Sequence, residues 1–267
     1  MAKLSINETT TFRWSFEEDV THYAAAGVPG IGVWRRKISD YGEIKAAELL
    51  AESRVAASHL FWAGGFTGSD GRPYRASIED AAEAIRTAHA IRAESVVVYS
   101  GARAGHTHNH ARRLFKDALR ELAPLAAEMQ VRLAVEPMHP GCGAEFTFLH
   151  SLDDALLLLS QAGDANLKLV FDTYQLAWDR RVLARIPQIV GQVALVQLGD
   201  ARCPPNGEQN RCPLGEGSLP LREVVHAFLD AGYDGYFDVE LLGEEIERID
   251  YPTLVQRSKQ AFEQLCG

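Results

Sequence analysis

The sequence predicts a single-domain α/β fold, a (β/α)8 TIM barrel. Eight apolar runs of strand length alternate with eight segments of helical period, the connection after the sixth run being the weakest helix. Four of the later runs end in an oxygen-bearing side chain, which suits parallel strands whose tips share one face. No G-x-G-x-x-G follows the first run, and that disfavours the alternative of a doubly wound dinucleotide-binding sheet. A chain of 267 residues, 46% hydrophobic, matches one barrel in size, and no Pro/Ser run, charge block or low-complexity tract divides residues 1–267.

The elements follow in order. A short strand at residues 4–6 leads to Ser15 and, three residues on, Glu18, a capping box opening a helix that ends at Gly27. The second strand runs through 31–34, followed by the helix EIKAAELLAES. The third strand, 55–61, leads into the Gly-rich WAGGFTGSDGRPY, long for a barrel loop and expected to cover one end. Ser77 is expected to cap the next helix, in which Ala81, Ile85, Ala88 and Ile91 form an apolar stripe. SVVVYS is strand four. A helix over 111–129 repeats the stripe, and VRLAVE is strand five. Ser151 with Asp154 starts a helix that Gly163 closes. Strand six ends at Asp172, VALVQL is strand seven, Pro220 sits in the first turn of a helix over 219–231, YFDVEL is strand eight, and a last helix spans 252–265.

A net charge of −9 and a pI near 5.5 argue against a nucleic-acid partner, which would favour a basic face. The N-terminus MAKLSINETT lacks an apolar signal core, and no stretch approaches the roughly 20 apolar residues of a membrane span. A soluble cytoplasmic protein without membrane or nucleic-acid partners is expected, acting on a small molecule and open to homo-oligomer formation. Cys142, Cys203, Cys212 and Cys266 show no C-x-x-C pairing and read as reduced thiols.

Glu136, Asp172, Gln197 and Glu240 stand at the tips of strands five to eight, one from each. Three carboxylates and an amide oxygen make a hard site suited to one Mn2+ or Mg2+ per chain, whereas zinc would favour His or Cys. His106, His108 and His110 look like a metal tract, but their loop position reads as a surface or rim role without metal. Arg211 precedes a Gly-rich turn after strand seven, placed to fork onto a carboxylate or polarised oxygen. His139 lies three residues beyond Glu136. His59, Trp34, Trp62 and Tyr174 fall near strand ends, where aromatic side chains serve as pocket walls or as core.

VEPMHP, VFDTYQLAWD, VQLGDAR, the R-x-x-L-G-E-G stretch at 211–217 and GYFDVEL together resemble the sugar isomerase/epimerase family with the xylose-isomerase-like barrel. That family includes hydroxypyruvate isomerases, ketose 3-epimerases and inosose and dehydroshikimate dehydratases. The resemblance implies that Glu136 and Glu240 are metal ligands and also the catalytic proton-transfer pair. It departs at Gln197, where relatives commonly carry His and hydroxypyruvate isomerases and some dehydroshikimate dehydratases are similar in using Gln, and at Gln175, where many relatives carry His. His139, Arg211, Gln175, Trp62 and His59 are the expected substrate-binding residues.

The implied activity is metal-dependent isomerisation or epimerisation of a small hydroxyketone, keto-sugar or keto-acid through an enediolate, without an organic cofactor. Dehydration is the alternative. It needs an acid over the leaving hydroxyl, for which His139 and Arg211 are the available groups, since the amide of Gln175 does not donate a proton readily. A zinc-dependent endonuclease of the related barrels would need many histidines at strand tips; a non-catalytic sugar-binding barrel would need no metal.

Overall fold

The computed structural model describes residues 2–267 and shows a closed eight-stranded parallel barrel in sequential order. Its strands are β1 Lys3–Asn7, β2 Gly30–Trp34, β3 Ala56–Gly64, β4 Ser95–Tyr99, β5 Arg132–Val135, β6 Leu167–Asp172, β7 Val193–Leu198 and β8 Tyr236–Val239. Closure of β1 onto β8 pairs Leu4 with Phe237 and Ile6 with Val239, so no edge is left. The large core lies between the barrel wall and the surrounding helices. A smaller cluster, including Phe61, Val97, Ala134, Val170 and Leu195, fills the barrel itself, as in a packed barrel interior.

Local signals account for most helix boundaries. Ser15 Oγ accepts from the Glu18 N–H while Glu18 accepts from the Ser15 N–H, a reciprocal cap at the start of Phe16–Ala26. Gly27 and Gly163 end their helices in left-handed conformations. Ser151 caps Leu152–Ala162. Ser77 does not cap its helix: Tyr74–Ala90 begins after Pro73, whose ring restricts the preceding chain, and Ser77 Oγ inside the first turns donates to Gly65 O. The Gly-rich loop follows β3 at the end of the barrel where the strands finish. Beyond Trp62 none of its residues lines the main cavity; Phe66 instead stacks on Phe115 of the helix His108–Glu128 at 5.5 Å. After β6 the chain makes only short turns, Thr173–Leu176, Arg180–Arg185 and Ile186–Ile189, in place of a full helix.

Among the described residues no helix is long and apolar enough to cross a membrane. All four cysteines are free thiols.

Candidate active site at the strand tips

Parallel pairing delivers the four oxygen-bearing side chains to one end of the barrel. Asp172 ends β6 and pairs with Gln197 of β7; Glu136 and Glu240 follow β5 and β8 by one residue, the Glu240 N–H bonded to Leu198 O at 3.0 Å. All four are buried. Glu136 and Glu240 form part of the floor of a cavity of about 610 Å3, together with Arg211.

Arg211 is the organising cation. Its guanidinium lies 3.0 Å from Asp172 Oδ2 and 3.0 Å from Glu240 Oε2, donates to Glu240 O at 2.7 Å, and covers the Tyr174 ring at 4.6 Å. Gly199 makes this possible, because a Cβ there would stand 2.6 Å from the guanidinium. Burial opposes the arginine's charge, but Asp172 and Glu240 more than compensate and hold it firmly protonated. Burial pushes the Glu136 carboxyl well above the usual carboxylate range, with Glu240 and Asp172 adding to it. Asp172 and Glu240 are also raised by burial, against the pull of Arg211.

Three carboxyl groups share one guanidinium, so full ionisation would leave surplus negative charge, which the raised Glu136 carboxyl opposes. Among the described residues no three His, Cys, Asp or Glu side chains stand together as a ready metal cluster, because Asp172 and Glu240 are turned onto Arg211. Yet Glu136 Oε2 and Gln197 Oε1 are buried with no hydrogen-bond partner. Orphaned hard oxygens among carboxyl groups whose full ionisation lacks countercharge fit a divalent cation, with Glu136, Asp172, Gln197 and Glu240 as the donors available to it.

Not every expected site residue reaches this cavity. Trp62 and Trp34 line it. His59 does not: β3 runs on to Gly64, so His59 lies within the strand, inside the barrel and fully buried. It contacts Ser58 Oγ at 3.0 Å and Asn7 at 3.4 Å, in a polar group with Ser5 and Asp238, and Gly32 leaves it room, since a Cβ there would be 2.5 Å from the ring. Burial lowers the His59 pKa to about 3 and raises that of Asp238 to about 8. His139 and Gln175 line a separate cavity with His150 and Trp178. Gln175 Oε1 accepts from the His139 N–H at 2.8 Å, and His139 Nδ1 accepts from the Gly141 N–H, so both serve the turn after β5. His106 contacts Thr67 O and meets His110 edge-on at 4.7 Å.

One group escaped the sequence reading, and another, Asp200, which VALVQLGD delivers just after Gln197, takes a role the sequence does not show. Tyr99, at the tip of β4, lines the cavity beside Glu136; burial and the glutamate's charge keep its phenol protonated. The same strand-tip rule would have found it, but a tyrosine reads equally well as core. Asp200 accepts from the N–H groups of Ala201, Gly215, Gly217 and Leu219 at 2.9–3.3 Å, which folds the loop behind Arg211. Asp200→Ala is expected to leave four donors without that partner, to cost about 2–3 kcal/mol and to expose the loop to limited proteolysis near 202–218, an outcome read by melting temperature and cleavage mapping. Wild-type stability and resistance in that variant would refute the role.

A family model described as xylose isomerase-like TIM barrel matches residues 20–265. An L-ribulose-5-phosphate 3-epimerase of Escherichia coli (strain ATCC 8739) is 27% identical over 141 residues, 52% of this chain and 46% of its own length. The chain thus spans less than half the length of that curated relative. A protein of Sinorhizobium meliloti 1021 has a similar crystal structure, with a TM-score of 0.91 at 22% identity over 98% of each chain. The IolI protein, solved with a bound zinc atom, aligns with a TM-score of 0.85 at 18% identity over 99% of this chain and 98% of its own. The two structures share the fold, and the family match over residues 20–265 shows that this chain belongs to the xylose isomerase-like TIM barrel family.

Proposed function

We propose that this chain is a divalent-metal-dependent isomerase or epimerase of a small hydroxyketone or keto-sugar, with Glu136 and Glu240 as its proton-transfer pair. The observation that carries the reading is the pair of buried glutamates opening onto one cavity floor, of which Glu136 has an unpartnered oxygen. A bound Mn2+ or Mg2+ would polarise the substrate carbonyl and offset the negative charge of the ionised floor. The zinc in IolI supports a divalent ion in a barrel of this kind, while the oxygen-only donor set here favours the harder ions. The epimerase relative supports the substrate class.

The protein's own groups then divide the work. One glutamate, ionised, removes the proton beside the carbonyl and leaves an enediolate. The other returns a proton, to the neighbouring carbon for an isomer or to the opposite face for an epimer. Arg211 faces the developing negative charge, and the protonated Tyr99 phenol can donate to an oxygen. Among the described residues no histidine lines the cavity, since His139 opens onto its neighbour and His59 lies within the barrel. Expulsion of a hydroxyl therefore lacks an imidazole acid, which favours reprotonation over dehydration.

Incubation with Mn2+ and a panel of hydroxyketones in deuterated water tests this. Deuterium at the carbon next to the carbonyl, with aldose-ketose or C3-epimer products, is expected. Dehydrated products alone would replace isomerase by lyase, and no exchange with any substrate would leave a binding protein.

A further inference from the structure

The barrel mouth is divided into two unlike halves. The arc from β5 to β8 carries the carboxylates. Across the mouth from them runs a chain of neighbouring aromatic rings: Phe12 to Trp34 at 5.5 Å, Trp34 to Phe61 at 6.4 Å, Phe61 to Trp62 at 6.3 Å, Trp62 to Tyr99 at 5.9 Å and Tyr99 to Phe146 at 6.3 Å. All six rings line the same cavity as Glu136 and Glu240. Trp34 and Phe61 are within 7° of parallel and stacked, with Phe61 almost fully buried behind. Phe12, Trp62 and Phe146, at 54%, 40% and 36% exposure, leave apolar surface open that a soluble chain would ordinarily cover.

The charges of the cavity exclude a second kind of ligand. Its lining cations among the described residues are Arg13 and Arg211. Arg211 is held by Asp172 and Glu240; Arg13 is paired with Glu247 at 3.2 Å and lies over Tyr251 at 4.6 Å. Barrels that hold a phosphate commonly do so after strands seven and eight, at the N-terminus of a short extra helix. Here that helix is Glu244–Glu247, with three glutamates in its one turn. Each is already matched by an arginine, Glu244 with Arg248, Glu245 with Arg202 and Glu247 with Arg13, so among the described residues these arginines leave no spare charge at this helix for a phosphate.

We propose that the site takes an unphosphorylated hydroxyketone whose end remote from the carbonyl is an apolar ring lying against this aromatic wall. The placement of the hydroxyketone end rests on the isomerase reading above. Aromatic faces gain both buried area and offset-stacking geometry from a flat apolar partner, and a keto-sugar phosphate would set its dianion against that apolar surface, where the lining arginines are already paired.

Calorimetric titration of the Mn2+-loaded protein tests the proposal without needing turnover. The probes are 1-hydroxy-3-phenylpropan-2-one, dihydroxyacetone, L-ribulose and L-ribulose 5-phosphate. The phenyl compound is expected to bind at least about tenfold more tightly than dihydroxyacetone, and the phosphate no more tightly than free ribulose. Trp62→Ala should shrink the phenyl advantage several-fold, and Trp62→Phe should retain most of it, with circular dichroism reporting that both fold. A tenfold gain from phosphate, no gain from phenyl, or an unchanged advantage in folded Trp62→Ala would each overturn the proposal. The two readings fail separately: deuterium exchange without this affinity order removes the ring, and the affinity order without exchange removes the isomerase.

Discussion

Glu136→Gln and Glu240→Gln are each expected to lower turnover about 10²- to 10⁴-fold at saturating Mn2+, the usual contribution of a positioned acid or base. The amide keeps the shape and an oxygen but cannot accept or return a proton. The two variants should part company in stability, because the glutamates have different neighbours. Glu136 is buried with one oxygen unpartnered and with Glu240 and Asp172 repelling it, so its neutralisation should leave the melting temperature unchanged or raise it. Glu240 loses a buried ion pair with Arg211 at 3.0 Å, and its variant should melt earlier. Rates are to be compared after metal content has been matched by elemental analysis. Near-normal turnover in either metal-matched variant would remove that glutamate from the proton path.

Arg211→Met is expected to destabilise the metal-free protein by about 3–5 kcal/mol, the typical cost of breaking a buried pair by removing one partner. For a domain of this size that lowers the melting temperature by roughly 10 °C. The reason is local: Asp172 and Glu240 are both buried and both depend on this guanidinium for their countercharge. A divalent ion offers the same carboxylates a substitute charge. Mn2+ should therefore raise the melting temperature of Arg211→Met by several degrees more than that of the parent, whose arginine competes for the same oxygens. Thermal scans with and without Mn2+ and Mg2+ check this. An unchanged metal-free melting temperature, or equal metal-induced shifts in both proteins, would show that the arginine does not share its carboxylates with a metal.

The expectations that held are those in which a short stretch carries its own cause. The reciprocal Ser15–Glu18 cap, the left-handed ends at Gly27 and Gly163 and the barrel order itself depend on neighbours within a few residues or on the alternation of apolar runs. Glu136, Asp172, Gln197 and Glu240 come to one end for a related reason, since parallel strands put their tips on one face whatever the loops do. Ser77 misled because a nearby proline also starts a helix, and His59 because β3 continues to Gly64, which turns an expected strand tip into barrel interior.

Sequence alone determined the (β/α)8 architecture and the convergence of four oxygen donors, because both follow from strand period and strand direction. Tertiary structure alone decided that Arg211 sits between Asp172 and Glu240, that His139 and Gln175 open onto a different cavity, and that rings from three strands and two loops join into one wall. Those contacts join residues tens of positions apart, and their geometry is set by side-chain packing and loop closure, which no local periodicity encodes.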